Sequence, residues 1–108
     1  MTEPRAAASL CEEFLVLNRQ AFAAGYYNTA YHTLAAALQA AHERQDAEGV
    51  ARVERLAREQ GAVMDAIAAE DEPSTQSAEA RGHLSMFTLL VHEAHALLLM
   101  LPDEHSSA

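Results

Sequence analysis

Apolar residues recur along this chain at alternating spacings of three and four, the mark of helices that each bury one face. Leu10, Phe14, Leu17 and Ala21 form the first such stripe and predict a helix from about Pro4 to Ala24. Thr2 is placed to cap it, Pro4 is tolerated in its first turn, and Gly25 can end it in a left-handed conformation. A second stripe, Tyr27, Ala30, Tyr31, Leu34, Leu38 and Ala41, predicts a helix from about Tyr27 to Arg44. Gln45-Asp46 is the break, with Asp46 placed to cap the next helix. A third stripe, Val50, Val53, Ala57, Gln60, Met64 and Ile67, carries through Gly49 and Gly61. It predicts one continuous helix from about Ala47 to Glu70. Arg52, Glu54, Arg55, Arg58 and Glu59 lie on its other side and read as a solvated, ion-paired face. Residues 71–77 collect acidic residues, a proline and hydroxyl side chains and read as a linker. Thr75 or Ser77 can cap a fourth helix from about Ala78 to Leu101.

The fourth helix departs from the single-stripe pattern. Leu84, Phe87, Leu90, Val91, Ala94, Leu97, Leu98 and Leu101 already exceed one face, and Met86, Leu89, Leu99 and Met100 remain outside it. A helix this apolar must be central to its fold or meet another chain. Four helices leave little room to surround one of them. Met86, Leu89, Leu99 and Met100 are therefore expected at an oligomer interface, most simply a two-fold dimer. His92, Glu93 and His95 interrupt the apolar run and make it too polar for an expected membrane span.

Composition agrees with an all-α fold in a single domain, residues 1–108. Alanine, the best helix former, supplies 24 of the 108 residues, whereas valine and isoleucine together supply six, too few for a β-rich fold. The net charge is −9, and all seven basic residues are arginine. Such a surface repels phosphate backbones and anionic bilayers, so neither nucleic acid nor membrane is an expected partner. The absence of lysine reads as a GC-rich codon bias in a bacterial-type domain. Cys11 is the only cysteine, which excludes an intrachain disulfide, and its apolar neighbours make it a buried structural thiol. Met1 to Arg5 lack a basic stretch followed by an apolar run, so the cytoplasm is the expected location.

The chain offers no nucleophile–base–acid set and no glycine-rich phosphate loop, so no catalytic residue is assigned and a non-enzymatic role is expected. Its compositional oddity is six histidines. His92 and His95 are three apart and project from one side of the fourth helix. With His83, and with Glu93 or another carboxylate, they could hold zinc or another divalent ion. The plainer reading is solvent-facing or hydrogen-bonded histidines and no cofactor. His92-Glu93-Ala94-His95 is one residue short of the metalloprotease spacing.

Phe14 and Leu17, followed by Gly25-Tyr26-Tyr27-Asn28-Thr29-Ala30 and by Leu34-Ala35-Ala36-Ala37-Leu38, resemble a tetratricopeptide repeat over residues 10–45. Ala30 and Ala37 match the small positions where the two helices of the repeat cross, and Leu34 matches the large one. Asn18 stands where the repeat usually has glycine, Ala21 where it often has tyrosine, and His42 where proline usually closes it. The resemblance implies an antiparallel hairpin that binds protein or peptide on the concave face of its first helix. By position that face is Glu12, Leu15, Arg19 and Phe22. The expectation is an all-α, four-helix, tetratricopeptide-like domain, the hairpin followed by two further antiparallel helices. It would serve as a self-associating adaptor or scaffold for an unidentified protein partner. The alternative is a helical protein that binds a metal or small ligand through its histidines.

Overall fold

A computed structural model describes residues 3–69 and 75–101, with side chains over 10–69 and 79–101. The expected Thr2 cap, residues 71–74 of the expected linker and the tail beyond Leu101 lie outside the described residues. The described residues form four α-helices and no strand: α1 (Glu3–Ala23), α2 (Tyr27–Glu43), α3 (Ala47–Ala68) and α4 (Thr75–Met100). α4 takes Thr75, Gln76 and Ser77 into the helix, ahead of the start expected at Ala78.

The α1–α2 and α2–α3 connections close by the same hydrogen-bond pattern. Gly25 N–H donates to the Phe22 carbonyl at 3.0 Å and Tyr26 N–H to the Ala21 carbonyl at 2.8 Å. In the second turn, Gln45 N–H donates to the His42 carbonyl at 3.0 Å and Asp46 N–H to the Ala41 carbonyl at 2.8 Å. This closure needs a left-handed residue just past the helix end. Gly25 supplies it at φ 85°, and Gln45 adopts it at φ 55°, where a side chain costs about 1 kcal/mol. Asp46 then caps α3 by accepting from Gly49 N–H at 3.1 Å. A Cβ on Gly49 would lie 2.6 Å from the Asp46 carboxylate and 3.0 Å from the Ala41 methyl. Glycine is what lets the cap and the close α2–α3 approach coexist.

The tight turn makes α1 and α2 antiparallel. α3 and α4 are antiparallel as well, since Glu54 faces His95 while Gly61 faces Leu84 and Phe87. The two hairpins stack with like helices parallel. Glu12 and Asn18 of α1 meet Arg52 and Gln60 of α3. Tyr27 and Tyr31 of α2 meet His83 and Phe87 of α4. Leu15, Leu34, Val50, Val53, Met64, Phe87 and Leu90 are fully buried between the helices, each contributing about 1.5–3 kcal/mol. Phe22 and Tyr31 meet the Phe87 ring edge-on at 6.2 and 6.1 Å.

Two polar side chains sit inside this core. Gln60 Nε2 donates to Asn18 Oδ1 at 2.6 Å, and Asn18 Nδ2 donates back to Gln60 Oε1 at 3.0 Å and to the Ala30 carbonyl at 2.7 Å. The paired amides bond α1, α2 and α3 to one another and leave no buried amide group of the pair idle.

This pair also explains why α1 packs on a different face from the one its stripe predicts. Cys11, Leu15, Asn18 and Ala21 are buried, with Phe14 and Phe22 half-buried beside them, whereas Leu10 and Leu17 stand 45% and 48% exposed. α1 carries apolar residues on two faces, so spacing alone does not choose between them. Turning Asn18 inward matches its amide to Gln60 and the Ala30 carbonyl, and Leu15 follows it into the core.

Candidate interaction surfaces

The outer side of α4 is the largest departure from a self-contained fold. Ala80, Phe87, Leu90, Val91 and Ala94 point into the molecule. On the far side Leu89, Leu99 and Met100 are 67%, 75% and 77% exposed, and Ser85, Ala96, His92 and Glu93 lie exposed between them. Met86, expected with this group, is half-buried at its edge. Glu79–Met100 is long and apolar enough to cross a bilayer by length and composition alone. Left in water, such a face exposes apolar area that association would remove.

α1 presents a second, smaller apolar surface. Val16 is 47% exposed beside Leu10 and Leu17, and Glu12 and Glu13 share the depression with Val16 and Leu17. Of the residues expected to bind a partner here, Glu12 and Arg19 are exposed. Glu12 accepts from Arg52 of α3 at 3.1 Å. Leu15 is a correction, since it is fully buried; Phe22 is half-buried with its ring edge-on to Tyr27 at 5.1 Å. Leu15 enters the core beside the inward-turned Asn18, and Phe22 packs against the core's edge.

The three histidines of α4 do not converge. His95 Nδ1 lies 3.5 Å from Glu54 Oε2, which also accepts from Arg58 at 2.7 Å. His92 borders the shallow α3–α4 groove with Arg58 and Asp65, while Glu93, exposed, borders a separate groove between α2 and α4 with Gln39 and His42. His83 packs against the Tyr27 ring at 5.9 Å, and its buried Nδ1 has no hydrogen-bond partner. It is nine residues from His92, about 13 Å along the helix axis. Among the described residues no group of three His, Cys, Asp or Glu side chains is placed to hold a metal ion. Glu54–Arg58 is an ion pair one helical turn apart at the edge of α3, a kind of contact that contributes under about 1 kcal/mol.

Cys11 is buried at 4% exposure. Burial pushes its thiol up from the usual range, the charges of Asp46 and Glu12 push the same way, and Arg52 opposes them. A thiol held protonated in a closed site is a poor nucleophile.

Sequence reasoning passed over the Asn18–Gln60 pair, although both residues stood out. Gln60 is the one polar member of the α3 stripe, and Asn18 occupies the glycine position of the repeat pattern. What joins them is tertiary contact between α1 and α3. Comparison with protein-family models, with curated proteins and with solved structures finds no match to this chain.

Proposed function

We propose that this domain is a protein–protein interaction module, a small adaptor or scaffold that self-associates through the outer side of α4. The observation that carries the reading is the exposure of Leu89, Leu99 and Met100 on one helix of a chain with net charge −9. Large apolar side chains gathered on one helix of a strongly acidic chain mark a contact surface. Two stacked antiparallel hairpins with like helices parallel support the tetratricopeptide-like reading, because that is how helical repeats build an array. Their offset is longer than the family's period of about 34 residues: Asn18 meets Gln60, and Tyr31 meets Phe87. In such an array α4 occupies the end, where a polar outer face would serve as a cap, and here that face is apolar.

The reading places the protein in the cytoplasm, where a single cysteine stays reduced. A bilayer-spanning α4 would pull Phe87, Leu90 and Val91 out of the core and set His92, Glu93 and His95 in hydrocarbon. The proposal assigns no reaction and no metal. It is tested by light scattering behind size exclusion: the wild type should elute at twice the chain mass, and Leu89→Glu with Met100→Glu at the chain mass with its helicity intact. Retention of the larger size by the double variant overturns it.

A further inference from the structure

Two apolar surfaces compete for a partner, and charge distinguishes them. The α1 surface places two carboxylates, Glu12 and Glu13, in the same depression as Val16 and Leu17, on a chain whose net charge is −9, so a like-charged copy is less favoured there. The outer strip of α4 from Ser85 to Met100 carries one carboxylate, Glu93, and it stands next to His92. A two-fold contact makes residue i of one copy touch residue j of the other, and j touch i.

We infer that the occupant of this strip is a second copy of the chain, its α4 laid antiparallel on the first with the two-fold axis between His92 and Glu93. The inference rests on the interaction reading above and specifies the partner and the pairing. About that axis the exposed residues of the strip match in chemistry and size. His92 faces Glu93 of the partner subunit, twice over, so each carboxylate gains a donor instead of a like charge. Leu89 faces the partner subunit's Ala96, and Ser85 faces the partner subunit's Met100, so large side chains meet small ones as close helix packing requires. Met86 and Leu99 of opposite copies close the edge. The strip is about 22 Å long, and every position along it is apolar, small or part of the His92–Glu93 pairing.

Cysteine cross-linking tests the pairing in the full chain, with Cys11→Ala to remove the native thiol. Facing positions on two close helices come within disulfide reach. The double variant Leu89→Cys, Ala96→Cys should therefore give linked dimers on mild oxidation. Each single variant should stay largely unlinked, because its two cysteines lie seven residues apart on the facing helices, about 10 Å along the axis. Self-linking of Leu89→Cys alone, as efficient as that of the double variant, overturns the antiparallel register. Absence of linked dimers from a double variant whose scattering mass is twice the chain mass overturns this pairing but leaves self-association standing. A chain mass at every concentration overturns both.

Discussion

α3 and α4 pack against each other along their lengths, yet their far sides are unlike. α3 holds seven charged residues in 22, and its core side takes in Val50, Val53 and Met64 fully and Leu56 and Ile67 in part, leaving Val63 as its one exposed large apolar side chain. α4 holds three charged residues in 26, and after its inner face is buried Leu89, Leu99 and Met100 remain in solvent. Both helices contribute to one core, which leaves one exposed large apolar side chain on α3, Val63, against three on α4. The contrast separates two kinds of substitution: changes along α3 should read out as stability, and changes on the outer strip of α4 should read out as assembly.

The largest stability effect is expected at Gln60. Gln60→Ala strands the buried amide of Asn18 and should cost about 2–3 kcal/mol in urea unfolding. Replacing Asn18 and Gln60 together with leucine removes both polar groups at once. That double variant should lose less than the sum of the two single changes, and full additivity would mean the two amides do not act as a unit.

Next come the two glycines of α3, which should move stability in opposite directions. Gly49→Ala drives a methyl into the Asp46 cap and Ala41 and should cost about 1–2 kcal/mol, the scale of a lost cap. At Gly61 a Cβ would sit 3.7 Å from the Phe87 Cβ, an ordinary contact, so Gly61→Ala should stabilise the fold by up to about 1 kcal/mol through helix propensity. Stabilisation by Gly49→Ala would show that the α2–α3 approach is looser than these distances say, and destabilisation by Gly61→Ala that the α3–α4 approach is tighter. Smallest is the turn before α3. Gln45→Gly relieves the left-handed strain at φ 55° and should raise the unfolding free energy slightly, by roughly 0.5 kcal/mol, because added freedom in the unfolded chain offsets part of the gain.

The same contrast accounts for how much was legible in the sequence. Alanine richness and three-four spacing were enough for an all-helical, four-helix chain, because each helix announces its period locally. The apolar surplus of α4 was legible for the same reason: it exceeds what one face can hold whatever the packing. α1 was misread because Leu10, Phe14 and Leu17 make as regular a stripe as Cys11, Leu15 and Asn18 do. The choice between them is made by Gln60, a residue 42 positions away from its partner. Leu15 was lost as a surface residue through that one rotation. His83 stands nine residues from His92, half a turn round the helix at 3.6 residues per turn, so the helix alone sets the two on opposite sides, and the packing puts His83 against Tyr27.

The central claim is that the outer side of α4, and not exposed apolar surface in general, holds two chains together. Sedimentation equilibrium on a matched pair of variants tests it most directly. Val63 on α3 is 43% exposed and Leu89 on α4 is 67% exposed, and each is changed to glutamate. The account predicts that Val63→Glu sediments as the dimer, like the wild type, and that Leu89→Glu sediments at the mass of one chain. Equal masses for the two variants, whether both dimeric or both monomeric, would contradict it.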